Sequence, residues 1–161
     1  MHVDRPDAHL MVFGPRGGVV YAPNTDYRLL PQARLLGRHL QWPAEIRRIK
    51  PDLYFGPAGA LPLGRIRTPS AITVHDLAIY RNPRWFPPRQ PLSTRIVVPR
   101  SILGADVVIA VSESTAKDVR ELFNLDRGKI QVVPHGVSPK LRPMSTEERN
   151  DARARLRLPE R

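Results

Sequence analysis

The chain contains no cysteine. That excludes a disulfide scaffold, cysteine-ligated zinc, iron–sulfur clusters and thiol nucleophiles. It also lacks any long apolar run. Val107–Val111 is among the longest, and a membrane-crossing helix needs about 20 apolar residues. The opening residues, Met1-His2-Val3-Asp4-Arg5-Pro6-Asp7, carry no apolar core of a signal peptide. A cytoplasmic protein is expected, with contact at the inner face of a membrane left open. Phosphate-binding glycine motifs are missing too. Gly14, Gly17 and Gly18 do not form G-x-G-x-x-G and do not open a helix, and there is no P-loop. No helix-turn-helix, zinc-finger or RNA-recognition signature is present, and neither repeats nor low-complexity tracts occur.

Acidic residues are scarce. Fifteen stand against 26 lysines and arginines, for a net charge of +11. Such a surplus attracts nucleic acid, anionic membranes or phosphorylated ligands. The basic residues are mostly arginine and are scattered, which suits a compositional bias as well as it suits a binding surface. The remaining composition is globular, with 41% apolar and 25% charged residues. Proline, at 18 of 161 residues, is about twice as frequent as average. The length suits one domain, large enough to bury about 68–70% of its unfolded surface.

Short apolar runs alternate with amphipathic stretches, which predicts a mostly parallel α/β sheet flanked by helices. Strands are predicted at His9–Phe13, Val19–Ala22, Leu53–Phe55, Ala71–Val74, Val107–Val111 and Ile130–Val133. Val107–Val111 has no alternation, as in strands covered on both faces. Leu35, Leu36 and Leu40 predict a helix ending near Trp42. Pro43 predicts the start of a second short helix, which Pro51 stops. Leu77–Pro91 is too rich in proline for regular structure. Ser93–Leu103 has helical spacing with a kink at Pro99. Ser112 caps a helix running to about Phe123. Ser145-Thr146-Glu147-Glu148 is a capping box opening a polar helix to about Arg157.

Three of these strands run into polar residues: His75-Asp76, Ser112-Glu113 and His135-Gly136. Ligands of open parallel sheets bind beyond the carboxyl ends of the strands, so all three groups are expected at one crevice. A histidine at such an end donates to a substrate oxygen or titrates near neutral pH; otherwise His75 bonds a loop backbone. Asp76 either sets the His75 tautomer, binds a sugar hydroxyl or caps a turn. Ser112 reads as a helix cap, since no G-x-S-x-G elbow surrounds it, although its helix N-terminus could hold an anion. Gly136 allows close approach to the backbone or serves the turn. His135 is ambiguous. His2, His9 and His39 read as structural or exposed, and no histidine–carboxylate set has metal-ligand spacing. Trp85-Phe86-Pro87-Pro88, with Arg81, Arg84 and Arg89, suits a membrane interface or amphiphilic ligand, or else packs on its own domain.

An ordered series of short motifs carries a resemblance. It comprises Thr73-Val74-His75-Asp76-Leu77, Asn82-Pro83, Phe86-Pro87-Pro88, Ala105 through Thr115, and Lys129 through Val137. In order and spacing the chain resembles the N-terminal, acceptor-side domain of glycosyltransferase family 4, of the mannosyltransferase-like kind, at least from Leu35 to Arg161. The resemblance implies a GT-B enzyme whose Rossmann-like N-terminal domain binds the acceptor and whose C-terminal domain binds a nucleotide sugar. Transfer then occurs in the cleft with retention of configuration and without an essential metal. It implies no cofactor beyond the nucleotide-sugar co-substrate. His75 is the implied catalytic residue near the transferred sugar. Asp76, Ser112, Glu113, His135 and Gly136 are the implied substrate-binding residues.

Two departures accompany this. Family members place a strand, a Gly-rich loop and a helix ahead of the stretch starting at His9, a unit of roughly 30 residues. The sheet is therefore expected to lack its first strand–helix unit and central strand. The chain also stops at Leu158-Pro159-Glu160-Arg161, before an E-x-seven-E donor motif. Residues 1–143 are thus expected to form a partial Rossmann-like domain. Residues 144–161 are expected to form a polar linker helix towards a C-terminal domain supplied in cis or in trans. The expected function is the acceptor side of a transferase that moves a hexose, with mannose the leading candidate, to a glycan or lipid-linked acceptor. This chain alone is expected to be inactive. The rivals are a non-catalytic binding or partner subunit, a nucleic-acid-binding protein, which the missing motifs disfavour, and a Rossmann-type cofactor enzyme, which the missing glycine fingerprint disfavours.

Overall fold

A computed structural model describes residues 9–14, 25–29, 35–64, 66–91, 93–138 and 141–159. Its centre is a parallel four-stranded sheet in the order β3 (Tyr54–Gly56), β4 (Ser70–Val74), β5 (Val107–Ala110), β6 (Ile130–Val132). A separate parallel pair, β1 (Leu10–Gly14) and β2 (Thr25–Leu29), makes its own ladder. The fold is α/β and Rossmann-like. No strand among the described residues joins β1 to β3.

Every residue of β4 is buried, as expected of a strand inside a parallel sheet. The apolar run of β5 is covered less evenly than expected. Val108 and Ala110 are fully buried, while Val107 and Ile109 are half-buried. The covered face lies under α4 (Glu113–Phe123), which packs on β5 and β6 and against α3 (Val98–Gly104). Ile72, Ile102, Val108 and Val119 form the centre of that core. Asp106 fixes the entry end of the β4–β5 pair. Its carboxylate accepts from the Ser70 amide at 2.8 Å and the Ser70 hydroxyl at 3.0 Å. Buried Ser101 joins α3 to the loop before β4, accepting from the Leu61 amide at 2.8 Å and donating to the Val97 carbonyl at 2.6 Å.

Helix boundaries follow local chemistry. Ser112 is the N-cap of α4, accepting from the Thr115 amide, and Asn124 closes it with a left-handed φ of 49°. Thr115, Ala116 and Val119 turn inward. Two expectations fail. Residues 35–49 form one helix, α1 (Leu35–Ile49), rather than two meeting at Pro43. Pro43 is buried, and it packs so closely on the backbone at Gly64 that a Cβ there would lie 2.6 Å from the proline ring. That tertiary contact offsets the backbone hydrogen bond a helical proline cannot make. Likewise Leu77–Pro91 is partly regular. It contains α2 (Ala78–Arg81) and a 3₁₀ turn at Pro83–Trp85, with Pro83 at the first turn, where its missing N–H costs nothing. Between Ser93 and Gly104 a π-helical turn, Ser93–Val97, changes to α at Val98, with Pro99 in the new first turn. The strand expected at Val19–Ala22 lies outside the described residues, and β2 was not expected.

The capping box stands at the start of α5 (Thr146–Arg155), a helix with no buried residue. Ser145 Oγ accepts from the Glu148 amide at 3.1 Å, and Glu148 accepts from the Ser145 amide at 2.8 Å. Arg142 grips the same carboxylate at 2.6 and 3.0 Å. That guanidinium, aided by the Ser145 amide, holds the Glu148 carboxyl down at about 2, against an ordinary value of 4.5. A depressed carboxyl stabilises the folded form above its unfolded value and stops doing so once protonated. Protection of the first-turn amides of α5 from hydrogen exchange is therefore expected to be constant above about pH 4.5 and to fall towards pH 2. In Glu148→Gln that fall should vanish; an unchanged acid transition would contradict the assignment.

Candidate functional site

Because β3 to β6 all run parallel, the loops that follow them leave from one edge of the sheet. Backbone pairing continues past the strands themselves. The Val111 amide donates to the Val74 carbonyl at 3.4 Å, and the Val133 amide to the Ala110 carbonyl at 2.9 Å. His75, Ser112 and Pro134-His135 are thereby held at neighbouring strand ends, as the sequence pattern anticipates.

The His75 ring is held from two sides. Its Nε2 lies 2.9 Å from the Pro57 carbonyl oxygen in the loop after β3. A carbonyl only accepts, so Nε2 carries the hydrogen. A neutral imidazole then keeps Nδ1 as a free acceptor. The His135 ring stacks on His75 with centroids 5.4 Å apart and planes 18° from parallel. Both residues are exposed, so this is a solvent-facing pair and not a packed core histidine. Beneath it, buried Thr115 donates from Oγ1 to the His75 carbonyl at 3.3 Å and lies 3.0 Å from Ser112 Oγ. One hydroxyl thus joins the end of β4 to the N-terminus of α4.

The other predicted residues divide by role. Asp76 Oδ1 accepts from the Ala78 amide at 3.0 Å, closing the turn into α2, which is the capping role. Its second oxygen is not needed for that bond. Ser112 is the N-cap of α4, and Glu113 is exposed in the first turn, where its charge complements the helix dipole. Gly136 is exposed, and a Cβ built there meets nothing within 4 Å. Its φ is not in the left-handed range, so the turn itself does not demand glycine. Neither the turn nor packing among the described residues requires glycine at this position. His9, read as structural or exposed, is exposed and lies 3.4 Å from Asp26 across the β1–β2 pair.

Three partners escape sequence reasoning. Pro57 acts through its carbonyl, which leaves no residue-type signal. Thr115 has one, a hydroxyl three residues after a capping serine. Arg81, which the sequence groups with the cations around Trp85, is instead turned to α4, an ion-pair role no local pattern announces, bonding Asp118 at 2.7 Å and Glu121 on the next turn. Its guanidinium holds the Glu121 carboxyl below the usual range. Tyr80 packs edge-on against Phe123. Together they seat the segment after His75 on α4.

A shallow hollow of about 450 Å³ lies elsewhere, lined by Met144, Glu148, Asp151, Ala152 and Arg155. It is formed by one helix and the residue before its cap, and its Glu148 is committed to Arg142 and Ser145. The strand-end edge, where groups from four loops converge, is the stronger candidate. Among the described residues no group of three or more histidines and carboxylates is placed to hold a metal, and no helix is long and apolar enough to cross a membrane.

The geometry makes the His75 tautomer measurable. Long-range ¹⁵N correlation spectra of the neutral imidazole should show the hydrogen on Nε2. A ring protonated on Nδ1 would contradict the Pro57 bond.

The sequence model described as Glycosyltransferase Family 4 matches residues 4–141. No curated protein matches the chain.

Proposed function

The chain belongs to glycosyltransferase family 4, and from this we propose that it supplies the acceptor side of a retaining hexose transfer from a nucleotide sugar. The acceptor is a glycan or lipid-linked glycan, and mannose is the leading candidate for the sugar. The observation that carries the reading is the family match over residues 4–141. The site at the carboxyl ends of a parallel sheet supports it.

In this reading the acceptor hydroxyl replaces the nucleoside diphosphate at the anomeric carbon, and the hydroxyl proton leaves with the diphosphate. His75 is the catalytic residue that meets the transferred sugar. With Nε2 engaged by Pro57, its Nδ1 accepts from a sugar hydroxyl. His135 holds the ring by stacking and contributes to the same wall. Asp76 offers its uncommitted carboxylate oxygen to a second hydroxyl. Ser112 and Glu113 mark the N-terminal end of α4, and Gly136 lets the substrate approach the backbone. The donor domain is supplied in cis or in trans. A second reading, a binding or partner subunit without catalysis, is favoured by α5, which buries nothing against this core.

The test has two arms. The purified 161-residue chain, given nucleotide hexoses and a glycan acceptor, should yield no transfer product. Once joined to its donor domain it should turn over, and His75→Ala should lower kcat by about tenfold or more, the scale of one lost hydrogen bond at the reacting sugar. Turnover by the isolated chain, or full activity in His75→Ala, would contradict this account. Glycan binding without any turnover in the joined protein would select the second reading.

A further inference from the structure

The segment linking β4 to β5 has an unusual charge pattern. From Leu77 to Ala105 it contains Arg81, Arg84, Arg89, Arg95 and Arg100 and no aspartate or glutamate. Arg81 is committed to Asp118 and Glu121. The other four are exposed, and none pairs with a described carboxylate. Large apolar side chains stand among them. Trp85 is 75% exposed, Leu103 54% and Ile96 47%.

Their placement is ordered. Ile96, Arg100 and Leu103 are spaced four and three residues apart, which places them on one face of the helical stretch formed by the π turn and α3. The opposite face carries Val97, Ser101 and Ile102, all buried. The Tyr80 hydroxyl donates to the Thr94 carbonyl at 2.5 Å. That bond closes the base of the loop carrying Trp85 and holds it beside the start of the helical stretch. A tryptophan loop and a helix face, both mixing apolar side chains with arginines that pair with no described carboxylate, therefore belong to one short segment.

We propose that the segment 82–104 is a docking surface for an anionic lipid bilayer, with Trp85, Ile96 and Leu103 entering the interface and Arg84, Arg89, Arg95 and Arg100 meeting lipid phosphates. Charge complementarity selects the occupant, since four cations pair with no described carboxylate and the segment itself holds no acidic residue. The apolar members select lipid over nucleic acid. Stacking on bases would use Trp85, but phosphate and base contacts leave exposed Ile96 and Leu103 without a role, whereas an interfacial helix buries such residues beside its cations. The inference stands apart from the transfer reading, because it uses none of the strand-end residues. It adds that the segment starting seven residues beyond His75 brings the sheet edge to a membrane surface.

The test is co-sedimentation of the full chain with phosphatidylcholine vesicles, with and without phosphatidylglycerol. Binding is expected only with the anionic lipid. Each of Arg84→Gln, Arg89→Gln and Arg100→Gln should lower the partition coefficient about fivefold, and Trp85→Ala about tenfold. Arg149→Gln and Arg155→Gln on α5 remove the same charge elsewhere and should leave binding nearly unchanged. Equal losses from the α5 variants would show diffuse attraction by the +11 chain and overturn the proposal. So would absence of anionic-vesicle binding, or tight binding to duplex RNA that Trp85→Ala and Arg100→Gln weaken while vesicle binding stays as it was.

Discussion

Parallel pairing of β4 with β5 is the constraint from which the rest of this molecule follows. Parallel neighbours cannot be joined by a tight hairpin, so the chain must cross over after each strand and leave every time from the same edge. Asp106 pins the entry end of the pair through Ser70, and the Val111–Val74 bond extends it at the exit end. Between those points Ile72 and Val108 bury fully under α3 and α4. Once this pair is fixed, His75 and Ser112 have little choice of position. Thr115, buried between them, makes the positions depend on each other.

The same constraint explains what was legible in the sequence. Strands of a parallel sheet read as short apolar runs, so β4, β5 and β6 are visible without their neighbours, and so is the polar residue that ends each one. The caps of α4 and α5 depend on contacts three residues apart and are equally visible. Tertiary contacts are not. Pro43 looks like a helix start until the packing of its ring on Gly64 is known. Strand β2, Thr-Asp-Tyr-Arg-Leu, has too few apolar residues to announce itself and exists through its ladder with β1. In the site, the residues could be named from strand ends, but their relations could not. The His75–His135 stack spans a long sequence separation, and the Pro57 carbonyl belongs to backbone that any residue supplies.

Structure and charge divide the long β4–β5 connection into two parts. Its first residues are tied inward by Arg81 and Tyr80 to α4, which steadies the approach to His75. Beyond them the chain turns outward, exposing Trp85 and a series of arginines. With the lipid-linked acceptor and the bilayer-docking surface proposed above, both halves would lie beside one membrane.

The central claim is that the carboxyl edge of the four-stranded sheet faces the sugar. The most direct measurement is the change in backbone amide shifts of the full chain on titration with a simple hexose glycoside. The account predicts that Asp76, Ser112, Glu113, His135 and Gly136 move together, with His75 at their centre. Shifts confined to α5 or to the hollow beside Met144, with those residues unmoved, would contradict it.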